Sequence, residues 1–173
     1  EQVRNLIRGM ESEKPEKGVS FREASYRKSY DDWWMANEMV LFGDESTNIA
    51  IESKGGPPSE FEFEILDKIY GLEPKIRAEV QDSVYQRYQE IRDAELEKVS
   101  RELGAATANL IFPVISSSED IWRIAAYSVV ELPIQKDQEF RFRILLLCNW
   151  DLENGLQIRY IEGESQGLEK GEH

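Results

Sequence analysis

Phe140-Arg141-Phe142-Arg143-Ile144-Leu145-Leu146-Leu147-Cys148-Asn149-Trp150 is the run whose reading decides the fold. Phe140, Phe142, Ile144, Leu146, Cys148 and Trp150 share one phase of a two-residue period and are apolar throughout. Arg141, Arg143, Leu145, Leu147 and Asn149 share the other, which starts charged and turns apolar. Side chains alternate across a strand, so the pattern predicts a central strand under a helix. Asp151-Leu152-Glu153-Asn154-Gly155 then reads as the turn, because Asn-Gly is a strong hairpin signal. Leu156, Ile158 and Tyr160 resume one face in a partner strand.

Upstream of this hairpin, Tyr127–Ile134 reads as a strand, with Pro133 pushing it towards an edge or an end. Gln135–Gln138 is a turn, and Ser118 caps a short helix reaching about Ala125. Pro113 and Ser116-Ser117-Ser118 interrupt the chain before it. From Lys75 to Leu103 an apolar stripe of Ile76, Val80, Val84, Tyr88, Ile91, Val99 and Leu103 recurs at mostly helical steps. Such a helix is roughly 42 Å long, so its far end is expected to project or to kink near residue 94, where the stripe has a gap. Gly104 is its expected stop. Ser59 stands three residues before Glu62, a capping box opening a shorter helix with Phe61, Ile65, Leu66 and Ile69 that ends near Gly71. Pro74 suits the first turn of the long helix. Met39–Phe42 and Thr47–Glu52 read as strands joined by a turn at Gly43–Ser46.

The outermost segments are poorly patterned. Glu11–Gly18 reads as a linker, and Leu6, Ile7 and Met10 fit one amphipathic helical turn. From Glu162 onward the chain is rich in Gly and Glu and is expected to fray. The expectation is therefore an α+β domain over residues 31–163. Its antiparallel sheet carries two main helices, one of them long, on one face, with a short helix before the C-terminal strands. Residues 1–30 form a weakly patterned N-terminal segment and 164–173 a tail.

Composition narrows the chemistry. The 173 residues carry 21 basic and 34 acidic side chains, a net charge of −13. That balance disfavours a phosphate backbone or an anionic membrane surface, and it favours a basic partner. Many proteins are nevertheless acidic without any such partner. Cys148 is the single cysteine, so an internal disulfide framework is excluded. His173 is the single histidine and the last residue, which argues against Ser-His-Asp, Cys-His and His-rich zinc chemistry. No Walker loop or dinucleotide-binding glycine loop is present. No apolar run is long enough for a spanning helix. No catalytic residue, metal or cofactor is assigned. A cytoplasmic location is expected. The chain opens at Glu1 rather than Met, which is also compatible with a removed signal peptide or a longer parent chain.

The candidate sites each have an ordinary alternative. Asp151 and Glu153 together suggest a cation site or an acid–base pair. As turn residues, Asp151 would accept backbone hydrogen bonds, Gly155 would take a positive φ, and Trp150 would pack on the core. Hard cations need more oxygens than two side chains supply, which favours the turn reading. Trp33 and Trp34 suggest an interface anchor, with one ring in the core and the other outside. Glu60, Glu62 and Glu64 fit a helix N-terminus better than a metal cluster. Tyr85 and Tyr88 fit helix packing. Arg141 and Arg143 share a strand face and either hold a carboxylate or lie in water.

At Cys148, Trp150, Asp151, Glu153 and Gly155 the sequence resembles a family of uncharacterised bacterial domains with a C-x-W-D-x-E-H-G signature. Phe112–Ile115, Ser117–Asp120, Trp34 and Val40–Gly43 extend the resemblance over residues 31–163. Asn154 stands where that family has His, so a role resting on that His does not carry over. The resemblance implies a small cytoplasmic protein, in some members linked to contact-dependent toxin–immunity systems, with no catalytic residues to transfer.

Three functional expectations follow. The first is a non-enzymatic acidic protein that binds a protein partner, specifically an immunity-type inhibitor of a basic toxin. The second is a carboxylate-based cation-binding protein or enzyme using Asp151 and Glu153. The third is a structural or oligomerisation module. The sequence does not choose an oligomeric state.

Overall fold

A computed structural model describes residues 21–42, 45–136 and 139–171, and for Glu38 and Glu45 the backbone alone. The helical turn at Leu6–Met10, the linker at Glu11–Gly18 and half of each of two expected turns, residues 43–44 and 137–138, lie outside these residues. Seven strands form one sheet in chain order: β1 (Arg27–Tyr30), β2 (Trp33–Phe42), β3 (Glu45–Glu52), β4 (Ala125–Leu132), β5 (Arg141–Cys148), β6 (Asp151–Ile161) and β7 (Glu164–Lys170). Neighbours pair antiparallel except β3 and β4, which run parallel with Ile49 opposite Val130 and Ile51 opposite Leu132. All the described helices fall in the crossover between those two strands: α1 (Glu60–Gly71), α2 (Glu73–Leu103), α3 (Ala105–Ile111) and a 3-10 turn at Ser118–Arg123. A parallel pair requires such a crossover, so the mixed α+β class with helices layered on a sheet is the observed one.

The alternation that predicted β5 is visible in its burial. Phe142, Ile144, Leu146 and Cys148 are buried against the helices, whereas Arg143, Leu145 and Leu147 lie on the other face. The matching positions Ile49, Ile51, Val130, Leu132, Leu156, Ile158 and Tyr160 complete the buried face. From above, α2 contributes Ile76, Val80, Val84 and Tyr88, and α1 contributes Ile65, Leu66 and Ile69. Full burial of each such side chain stabilises the fold by about 1.5–3 kcal/mol before entropy is counted. Aromatic stacks reinforce the packing: Tyr127 of β4 lies between Phe42 of β2 and Trp122 of the 3-10 turn, both at 4.7 Å, and Phe142 stacks on its cross-strand neighbour Tyr160 at 4.7 Å.

Several details differ from the sequence reading. The long helix is unbroken from Glu73 to Leu103, with no interruption at residue 94. The gap in its stripe marks where it leaves the sheet, and α3 folds back against its far half with Ala108 fully buried. The seven residues of α3 are too few to show a helical period. The 3-10 turn is capped one residue earlier than expected, at Ser117, whose hydroxyl donates to Asp120 at 3.1 Å. Residues 164–170 are not a frayed tail but the edge strand β7, with Gln157 opposite Glu169 and Ile158 opposite Leu168. The expected turn at Asp151–Gly155 is also displaced. The chain reverses at Asn149-Trp150, so that Cys148 sits opposite Asp151 and the Asn-Gly pair lies within β6.

Candidate functional site

Four of the distinctive hairpin residues, Cys148, Trp150, Asp151 and Gly155, hold the fold. Between the pairs Leu146–Leu156 and Cys148–Asp151, β6 carries more residues than β5, and the excess forms a bulge. Asp151 closes that bulge: its Oδ1 accepts from the Asn154 amide at 3.2 Å and from Asn154 Nδ2 at 2.9 Å. Gly155 has φ +62°, and a Cβ there would lie 2.1 Å from the Leu146 carbonyl oxygen. Trp150 packs on Tyr88 of α2 with ring centroids 4.9 Å apart. Cys148 is buried, and burial together with the nearby Asp151 carboxylate pushes its thiol up to about 12. Glu153 is exposed on the bulge. No group of three or more His, Cys, Asp or Glu able to hold a metal occurs among the described residues.

The same end of the molecule explains Tyr88 and Tyr85, whose hydroxyl donates to the Ile115 carbonyl at 3.5 Å. The non-helical stretch 112–117 lies along α2, and polar side chains of the helix capture its backbone. Tyr88 donates to the Pro113 carbonyl at 2.6 Å, Arg92 Nε to the Phe112 carbonyl at 3.2 Å, and Gln89 to that of Ile115 at 3.2 Å. Gln81 donates to the Ser118 hydroxyl and accepts from the Trp122 indole at 3.0 Å.

Trp33 and Trp34 lie at the opposite end of the sheet, on opposite faces of β2. Trp34 pairs with Ile51 on the helix side, Trp33 pairs with Glu52, and both rings are half-buried. On the helix-free face Arg143 Nε donates to Glu131 at 2.7 Å and Arg141 Nε to Glu139 at 3.0 Å, so both arginines hold carboxylates of this chain.

Beside Glu52 the sheet opens into a cleft of about 220 Å³, lined by Glu52, Lys54, Phe61, Glu62, Leu132, Pro133, Ile134 and Gln135. It sits at the carboxyl ends of β3 and β4, where the chain leaves one strand for α1 and the other for β5. Its walls are built by local chemistry. Glu62 receives the Ser59 amide at 2.8 Å and hydroxyl at 2.6 Å, the expected capping pair. Glu52 Oε2 accepts from the Ile134 amide at 3.0 Å. The Gln135 amide accepts from Arg141 N at 2.6 Å and donates to the Pro133 and Arg141 carbonyls. Each of the two carboxylates thus keeps one oxygen without a hydrogen bond to the described residues. Phe61 stands at the rim, 58 % exposed. The sequence reading missed this site, because its residues come from three separate segments.

On the far side of α1 the chain binds one of its own arginines. Arg22 Nε is 3.0 Å from each Glu60 oxygen, Arg22 Nη1 is 2.9 Å from Asp67, and the guanidinium lies 5.9 Å from the Phe63 ring. These carboxylates raise the Arg22 pKa, and the Arg22 guanidinium in turn lowers that of Glu60.

No curated protein and no solved structure matches this chain. One family model does, over residues 21–168, from the strap that carries Arg22 to the edge strand. That span takes in every helix and strand described above, β7 as far as Leu168, and the chain belongs to the family described as Domain of unknown function (DUF6985).

Proposed function

We infer that this domain is a non-enzymatic, acidic protein-binding module whose partner presents a basic surface, in the manner of an immunity protein that masks a basic toxin. The observation that carries the reading is the net charge of −13 on a chain of 173 residues. Its outer helical surface supports it. The exposed residues of α1 and α2 include eight acids, Glu60, Glu64, Asp67, Asp82, Glu90, Asp93, Glu97 and Glu102, against six bases, Lys68, Lys75, Arg77, Arg87, Lys98 and Arg101, which leaves this surface net acidic. A field of one sign steers association with an opposite charge and raises its rate by about 10–10³ at low salt. The Asp151–Glu153 alternative lacks such support, since Asp151 is bound to Asn154.

The test is capture of partners from source-cell lysate at low salt, with identification by mass spectrometry, followed by association kinetics with the purified partner. A basic protein released by salt, associating more slowly as ionic strength rises, is the expected result. Capture of only neutral or acidic proteins, or an association rate indifferent to salt, overturns the reading.

A further inference from the structure

We propose that the cleft at the carboxyl ends of β3 and β4 receives an arginine side chain of the basic partner, an assignment that rests on the reading above and locates it. A volume of about 220 Å³ is below the usual range for a small-molecule site, roughly 300–1,000 Å³, and suits one inserted side chain. Two carboxylates face it from different elements, Glu52 at the end of β3 and Glu62 in the first turn of α1. The Oε1 atoms of both make no hydrogen bond with the described residues, while their Oε2 atoms are held by the fold. Those tethers fix the carboxylates in place before any ligand arrives, so little side-chain entropy is lost on binding. Phe61 offers an exposed ring at the rim, and a guanidinium stacks on an aromatic face while its planar fork reaches carboxylates. Lys54 is the opposing charge. It is exposed, and the cleft still holds one net negative charge.

The molecule already uses this recognition once. On the same helix, Glu60 and Asp67 grip the Arg22 guanidinium beside the Phe63 ring. The cleft repeats that set of groups around α1, with Glu52 and Glu62 beside Phe61, and without an arginine of its own chain among the lining residues.

The experiment titrates ¹⁵N-labelled protein with N-acetyl-arginine amide and, separately, with N-acetyl-citrulline amide, which has the same shape and no charge. Shifts confined to residues 52–54, 59–62 and 132–135, produced by the arginine compound alone, are expected. Glu52→Gln keeps an acceptor for the Ile134 amide, and Glu62→Gln keeps the capping pair. Each is expected to weaken binding about tenfold, the size of one charge-assisted hydrogen bond, without loss of fold in the same spectra. Lys54→Gln is expected to tighten it. No shifts up to about 100 mM, an equal response to citrulline, shifts centred on α2, or unchanged affinity in the doubly substituted protein overturns the assignment. If a basic partner binds the wild type and the Glu52→Gln/Glu62→Gln protein equally, the cleft fails and the functional reading stands. If no basic partner binds at all, that reading fails, and the arginine titration still decides what the cleft recognises.

Discussion

Gly155→Ala is the sharpest test of the bulged hairpin. The φ of +62° costs an alanine about 1–2 kcal/mol. The larger effect is steric. A Cβ would lie 2.1 Å from the Leu146 carbonyl oxygen, where real Cβ atoms essentially never come closer than 3.0 Å. The obstacle is backbone in the middle of the sheet, so β5 and β6 must part by roughly 1 Å at the Leu146–Leu156 pair. Loosening one or two ladder hydrogen bonds costs about 2–3 kcal/mol. Restricting the unfolded chain returns about 0.5 kcal/mol. The net expectation is a loss of about 3–4 kcal/mol, or a fall in Tm of about 6–16 °C for a chain of this size. Urea unfolding followed by tryptophan fluorescence measures it. Gly167→Ala is the control. Its φ is +97°, but no heavy atom lies within 4 Å of the added Cβ, so it has strain without collision. It should cost about 1–2 kcal/mol. If Gly155→Ala is no worse than Gly167→Ala, the close approach to Leu146 is not what requires glycine.

Three further outcomes follow from the same structure. Asp151→Ala should cost about 1–2 kcal/mol in urea unfolding through the lost bonds to Asn154, and any thermal response to Ca²⁺, Mg²⁺ or Mn²⁺ should be the same in the variant; a response lost with Asp151 would restore the cation-site reading. Tyr88→Phe should cost about 1–2 kcal/mol, because it leaves the Pro113 carbonyl without its donor; an unchanged urea midpoint would show that segment 112–117 is held by other contacts. Burial pushes the Cys148 thiol from 9.0 and the Tyr26 hydroxyl from 10.0 up to about 12, so the folded state retains protons that the unfolded chain releases. Stability should therefore be flat up to about pH 9 and then fall as pH rises towards 12, by up to about 1.4 kcal/mol per pH unit for each group. Urea midpoints unchanged between pH 8 and pH 11 would contradict that burial.

Much of the architecture was legible because periodicity reports burial directly. The two-residue period of β5 and the helical stripe of α2 each name the face that meets the core. The capping box at Ser59 and Glu62 is a local interaction, and it is present as read. What failed was long-range. Asn154-Gly155 carries a strong hairpin signal, yet the reversal is at Asn149-Trp150, because packing Trp150 on Tyr88 fixes the register. Strand β7, Glu-Ser-Gln-Gly-Leu-Glu-Lys, has almost no apolar face and exists by pairing along β6, so composition misread it as fraying. The parallel pairing of β3 with β4 leaves no mark in either strand's own residues. The cleft was illegible for the same reason: Glu52, Glu62 and Gln135 meet only after the crossover is closed.

That crossover divides the chain into two parts with different folding demands. Strands β1–β3 and β4–β7 are each antiparallel meanders whose contacts join neighbours in sequence, and α1 to α3 likewise contact one another locally. One seam, Ile49–Val130 to Ile51–Leu132, unites the meanders across everything from residue 53 to 124. Loop-closure entropy must be met before that seam gives anything back, so it governs the folding rate. Substitutions along the seam and under α2 should slow refolding, whereas those in the β5–β6 and β6–β7 hairpins should mainly hasten unfolding. The cleft, which borrows a wall from each side of the seam, is then the last part of the surface to acquire its shape.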